Sequence, residues 1–427
     1  MAGTVPKEDM YYGWKIVVLL FFTLISTAGN GFYAISVYVP RFIDELGCTT
    51  SGLMLAAAVW AIVFGFSNPI IGSLMHKHGV RGIFIIGVVC SGTVTLMMSF
   101  ITQLWQLYAL NLIFGFVGAA TILVPCQTLI TRWFNKKRGV AMALMMMGIG
   151  VGGFIIPQVI AWLIFEFGWR NSFRIGAVLN YILVLPPLLF FLKNNPSDVG
   201  QYIDGLTPDD NNTSTTQAPA GISAGHAVKT KNFWLLVGVY VLQLFVMSGF
   251  QMNIQNFAEK QMGYSLIIAT HFMAFALFIT LPARFIYGWL CDRYNTKYMM
   301  ASSGFFLMGG AFVLWYFVIK LGWVNDYRAI GLFSFFQGFG IAGSAVVLPI
   351  MVGRCFGERE FPKILGLTMT GFAVGVLFGP FLMGKIFDVT GNYAGAFVMA
   401  MGVAFIAGIL ALFIQTDALK DEFTTFT

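Results

Sequence analysis

The sequence predicts an all-α membrane protein of twelve transmembrane helices, arranged as two six-helix halves joined by a polar linker. Three observations carry that prediction. First, 58% of the 427 residues are hydrophobic and only 10% are charged, with a mean hydropathy of +0.79. Soluble domains carry about 25% charged residues and need them to cover their surface. Second, apolar runs of roughly 20 residues, the length that crosses a bilayer, recur along the chain. Third, features of the first half return in the second at a near-constant offset.

The apolar runs fall near 14–39, 51–75, 82–101, 105–131, 139–163 and 171–192, then near 233–257, 264–290, 298–320, 328–352, 363–387 and 393–415. The first is too long for the core of a cleavable signal and lacks a small-residue cleavage site, so it reads as a crossing. Between the two sets lies a polar stretch with Pro196, Pro208, Pro219 and the run from Asp209 to Thr216. Such composition buries too little apolar area to order itself. The expected organisation is an N-terminal half (1–192), a cytoplasmic linker (193–231) and a C-terminal half (232–427).

The charge of +7 is loop charge rather than a nucleic-acid footprint. With both termini inside, seventeen Lys and Arg fall in inner loops and tails and six in outer loops and helix ends. That asymmetry places both termini in the cytoplasm of a multi-pass plasma (inner) membrane protein. The expected surroundings are the lipid bilayer and a small substrate, with no nucleic acid, and the chain is expected to act as a monomer. Five scattered cysteines form no metal or disulfide pattern. With no nucleophile–base pair or metal cluster, an enzyme is not expected, nor a cofactor.

The repeat is visible in three places. Gly72-Ser73-Leu74-Met75-His76-Lys77-His78-Gly79-Val80-Arg81 after helix two returns as Gly288-Trp289-Leu290-Cys291-Asp292-Arg293-Tyr294-Asn295-Thr296-Lys297 after helix eight. Arg132-Trp133-Phe134 returns as Arg354-Cys355-Phe356, and Pro157 of helix five as Pro380 of helix eleven. Duplicated six-helix halves mark transporters that rock around a midplane site.

These residues resemble the major facilitator superfamily, whose best-known signature is the glycine–basic loop after helices two and eight. The first copy departs from it, with His76 where an acid is usual. By that resemblance Gly72, Lys77, Arg81, Asp292 and Arg293 belong to the gate, with Asp292 and Arg293 latching helix eight to its neighbours. A narrower set is similar to the monocarboxylate porter and oxalate–formate antiporter branch: Tyr12-Gly13-Trp14, Arg132 to Gly139, Gly168-Trp169-Arg170, Asn195 to Gly200, Pro282-Ala283-Arg284, Gly379-Pro380 and Asp388 to Tyr393.

Arg284 is the main chemical clue. All 18 Asp and Glu fall in loops, tails or helix ends, so Arg284 is a lone charge well inside helix eight. An intramembrane arginine costs at least about 2.5–3.5 kcal/mol and needs a wet cavity and a partner. An anionic substrate is the natural one, because a planar guanidinium grips a carboxylate through two parallel hydrogen bonds; the alternative is that Arg284 snorkels to the inner interface or bonds to backbone carbonyls. The porter branch places its substrate-binding arginine here. That branch also carries an aspartate where this chain has Thr280 and a lysine in helix one that this chain lacks; the oxalate antiporters have a second cation where Phe372 stands. One cationic site implies a monocarboxylate rather than a dicarboxylate.

Thr280 and Tyr287 are expected on the face of Arg284. Asn30, Tyr33, Asn111, Gln251, Gln255 and Gln337 complete the candidate lining, each equally able to serve as an interhelical hydrogen bond. His271 does not share the Arg284 face and reads as interfacial, with a proton carrier near the outer gate as the alternative. Lys385 reads as an interface anchor. Gly338-Phe339-Gly340-Ile341-Ala342-Gly343 matches a dinucleotide-binding pattern but follows no strand, so it reads as helix packing; Gly148 to Gly153 reads the same way. The glycosylation pattern Asn211-Asn212-Thr213 sits in the predicted cytoplasmic linker. The leading expectation is a secondary transporter of small organic monocarboxylates, working by exchange or proton symport. Efflux of amphipathic compounds and a non-transporting carboxylate sensor are the alternatives.

Overall fold

The computed structural model describes residues 11–33, 35–47, 50–205, 221–264, 266–323 and 326–416. Eleven helical stretches are long and apolar enough to cross a membrane, and one of them, Arg138–Phe191, is 54 residues long. At 1.5 Å per residue it would reach about 80 Å, far more than one bilayer. It divides at Gly168, whose φ of 76° falls outside the helical region and is open to a residue without a Cβ. Twelve crossings result.

In chain order these are α1 (Tyr12–Ala28, a π turn Gly29–Tyr33, then Ile35–Leu46), α2 (Thr50–His78), α3 (Val80–Met98), α4 (Leu104–Thr121 and Leu123–Trp133), α5 (138–167), α6 (168–191), α7 (Lys231–Lys260), α8 (Leu266–Arg293), α9 (Thr296–Lys320), α10 (Tyr327–Phe356), α11 (Phe361–Thr390) and α12 (Ala394–Leu412). The described residues hold no strand, only an isolated bridge between Gly221 and Gly357. Caps follow sequence chemistry: Thr230, Asn295 and Asp326 accept the amides of Phe233, Lys297 and Arg328 to start α7, α9 and α10.

Two helix pairs form most of the seam between the halves, α2 with α11 and α5 with α8. Exchange of the halves turns one pair into the other. In both, small residues let backbones meet. A Cβ on Gly139 would collide with the carbonyl oxygen of Gly288, one on Gly288 with that of Gly139, and one on Gly72 with that of Pro362. The glycine run of α10 packs in the same way: Gly338 lies against the Ala276 carbonyl, Gly340 against Leu307 and Gly343 against Ser303 and Tyr287.

The linker departs from expectation at its ends. Pro196–Val199 and Ile203–Gly205 form short 3₁₀ turns, and Ala224–Ala227 a helical turn. Asp204 accepts the Asn135 and Lys136 amides, the Ile222 amide donates to the Phe356 carbonyl at 3.0 Å, and Val199 and Ile222 pack on the core. The helix ends supply the apolar surface that the segment lacks by itself. The glycosylation pattern at 211–213 lies outside the described residues.

Replacing Gly288 by Ala forces α5 and α8 apart, since rigid backbone lies in the way. The expected cost is about 1–3 kcal/mol, read as a lower thermal midpoint of purified protein. Gly176→Ala, where a Cβ would meet open space, should leave the midpoint unchanged.

Candidate functional site

Between the halves lies a cavity of about 730 Å³. Its lining begins near Gln127, Met146 and Arg284 and continues toward the ends of α3, α7 and α11 that lie away from the linker, at Met98, Met252 and Phe381. The walls are mostly apolar, with Trp60, Phe114, Ile149, Met247, Met369 and Phe372 among them.

Arg284 is the one charged side chain among the described residues that line this cavity, and it is 3% exposed. Its Nη1 donates to the main-chain carbonyl of Met146, on the opposite half. The cavity stripe of α8 is Met273, Leu277 and Arg284, which recur at four and seven residues, as one helical face requires. Thr280 and Tyr287, predicted to share this face, are not on it. At 100° per residue they sit about 40° and 60° to one side. Tyr287 therefore packs against Gly343 and bonds Ser302 at 3.1 Å, and Thr280 is buried with its hydroxyl on the Leu277 carbonyl.

Of the other expected lining residues, Asn30, Asn111 and Gln251 reach the cavity. Asn30 and Asn111 donate to the carbonyls of Ser26 and Leu107 one turn back, which leaves their amide oxygens for other partners. Gln255 is exposed and away from the cavity, and Gln337 is buried beside Gly310 in the α9–α10 contact. The side chain of Tyr33 lies outside the described residues. His271 packs on Phe275 away from the cavity, and Lys385 is exposed. Gln127 and Ser344, not expected from sequence, do line the cavity, each 1% exposed. Gln127 stands alone in an apolar run, the same signal that marks Asn111. Ser344 follows the glycine run read as packing.

On the linker side the halves are bolted together. Asp292 accepts the amides of Gly139 and Val140 at 2.7 and 3.0 Å, placing its carboxylate on the N-terminus of α5, where the helix dipole favours an anion. Arg138 pairs with Glu358 and also bonds the Phe134 and Thr131 carbonyls. Glu360 lies 3.8 Å from His76 and accepts the Ala224 amide at 2.8 Å, a bond that holds its carboxyl below the usual range. Gly72 sits in this seam, but three residues expected in the gate do not bridge it. Arg293 lies over the Trp289 ring of its own helix, Lys77 is exposed, and Arg81 bonds Leu189 and Asn194 within its own half. His76, Arg138, Glu358 and Glu360 make the cross-half contacts instead.

Two six-helix halves clasped at one end around a central cavity have the architecture of a membrane transporter. The family profile described as Major Facilitator Superfamily matches residues 19–325 and 281–425. The chain belongs to that superfamily and is a multi-pass membrane transporter. It is 24% identical to monocarboxylate transporter 1 of Bos taurus over 97% of this chain and 86% of that protein, and 27% identical to monocarboxylate transporter 2 of Homo sapiens over 94% and 86%. It is 23% identical to the membrane sensor protein UhpC of Salmonella typhimurium over 95% and 92%. Among solved structures it resembles the human organic anion transporter MFSD10 in fold, with a TM-score of 0.70 at 15% identity over 93% of this chain and 99% of that one.

Asp292→Asn removes the charge from the α5 N-terminus and weakens the clasp. The population open on the linker side should rise about tenfold, as loss of a charge-assisted hydrogen bond would give. Alkylation of Ala143→Cys, a fully buried position facing Gly288, in a background without the native cysteines, reads this directly. An unchanged rate would count against the clasp.

Proposed function

We propose that this protein is a secondary transporter of organic monocarboxylates, with Arg284 as the carboxylate anchor. The observation that carries the reading is the Arg284 guanidinium, the one charged group among the described residues of an apolar cavity, buried at the seam of the halves. A carboxylate is the anion its planar fork fits best. The relatives named monocarboxylate transporters support the same substrate class. The excess of basic residues on the linker side supports a plasma-membrane protein with both termini cytoplasmic. In that orientation the clasp at Asp292 closes the inner side.

The Met146 bond adds a mechanism. Opening the linker side separates α5 from α8 and strips Arg284 of the Met146 carbonyl. Breaking that bond to a charged group costs the empty carrier about 1.5–3 kcal/mol. A bound carboxylate replaces the lost partner, so the loaded carrier reorients faster than the empty one. This favours exchange of one carboxylate for another.

Arg284→Gln should abolish substrate uptake with the fold intact, and Arg284→Lys should be poor because it loses the paired bonds. Uptake at wild-type rate in a well-folded Arg284→Gln variant sinks the assignment. Binding without flux in proteoliposomes would favour a sensor. Labelled carboxylate should enter proteoliposomes faster with unlabelled carboxylate inside than without. Equal rates, with internal acidification following the label, would reject exchange in favour of proton symport.

A further inference from the structure

We infer that Gln127 is a second ligand anchor, on the half opposite Arg284, and that the ligand carries a hydrogen-bond donor beside its carboxylate. The inference rests on the carboxylate reading of Arg284 and deepens it. Gln127 is 1% exposed and lines the cavity. Its Nε2 points at the thioether of Met146, 3.9 Å away, a weak acceptor. Its Oε1 has no donor among the described residues. A buried amide oxygen left this way is costly, and a ligand hydroxyl or N–H would remove that cost.

The geometry ties the two anchors together. Met146 takes Arg284 on its carbonyl and Gln127 on its sulfur, so a guanidinium from one half and an amide from the other meet on a single residue. Ser344, also 1% exposed, lines the cavity with a hydroxyl that has no partner among the described residues.

The chemistry of Oε1 selects the ligand. It accepts only, so a ketone or ether oxygen beside the carboxylate does not satisfy it. An ammonium would donate, but no carboxylate lines the cavity among the described residues, and a second cation near Arg284 meets like charge in low dielectric. A neutral hydroxyl or amide N–H fits. Tyr240, Met247, Met369 and Phe372 line the remaining space, and the volume equals about two dozen waters at ~30 Å³ each. The class is therefore a monocarboxylate with a neutral hydroxyl or amide N–H beside the carboxylate and a bulky apolar body, and a 2-hydroxy acid is its simplest probe.

The test uses the full-length protein in proteoliposomes and matched competitors: 2-hydroxy-3-phenylpropanoate against 3-phenylpropanoate, with lactate against propanoate as the small-body pair and 2-oxo-3-phenylpropanoate as the donor-free analogue. Wild type should bind the aromatic hydroxy acid at least about tenfold more tightly than its deoxy partner, because a site built for a hydroxyl rejects the analogue without one. The oxo acid should rank with the deoxy acid, and lactate below the aromatic hydroxy acid. Gln127→Met should erase the preference by weakening the hydroxy acid alone. Equal binding of the aromatic pair by wild type, an oxo acid ranking with the hydroxy acid, or an unchanged ratio in Gln127→Met overturns the inference. The first two readouts need no variant, so they decide the matter even if Gln127→Met fails to fold. Failure of wild type to bind any of these acids overturns the stated ligand class, whereas full binding of them by Arg284→Gln overturns the carboxylate reading itself.

Discussion

The contact between α5 and α8 is the constraint from which both the gate and the site follow. Gly139 and Gly288 meet backbone to backbone, Asp292 holds the first amides of α5, and about two turns further in Arg284 reaches the Met146 carbonyl. Gly150 continues the line against Leu281. One seam therefore carries the clasp at its linker end and the buried charge at its centre. Both contacts lie on one tightly packed helix pair, so full separation of α5 from α8 has to break both.

The second seam repeats the first with altered chemistry. Gly72 meets the Pro362 carbonyl, Gly366 the Asn68 carbonyl, and Phe64 stacks edge-on with Phe372 at 5.2 Å. By the repeat, His76 corresponds to Asp292 and Pro362 to Gly139. Proline has no N–H, so a carboxylate at position 76 would lack the first of the two amides that Asp292 enjoys. Here the acid comes instead from Glu360, at the start of α11, and the histidine faces it. The departure of the first loop from the superfamily signature is matched by a change at the helix end it touches.

Much of this was legible in the sequence, where the signal was a period or a lone charge. The crossings and the repeat follow from hydropathy and from offsets such as that between Pro157 and Pro380. Arg284 stands out because it lies well inside a helix and no Asp or Glu falls in any helix core. What escaped depended on angles and partners. Thr280 and Tyr287 differ from the cavity stripe by a fraction of a turn, which spacing alone does not resolve. Gln127 sits in a segment whose every residue but Arg132 is buried, so sequence gives no face to assign it to. Arg138 and Glu358 lie 220 residues apart, and only the packed halves bring them together. The order at the linker ends is not legible in the sequence because the surface that orders them belongs to the helices.

The cross-half bond at Arg284 also bears on how binding couples to motion. A backbone carbonyl is a neutral acceptor, and a carboxylate is a charged one whose bonds are shorter and roughly twice as strong. At about 4 Å and an effective dielectric near 20, the added Coulomb attraction is about 4 kcal/mol. Under the function proposed above, a carboxylate arriving from the cavity takes the guanidinium from Met146. Doing so removes a bond that ties α8 to α5 and leaves the charge paired. The Asp292 clasp is untouched by that exchange and must still open, so binding lowers only the central part of the barrier. In the proposed mechanism such a carrier stays shut on the clasped side until a carboxylate binds.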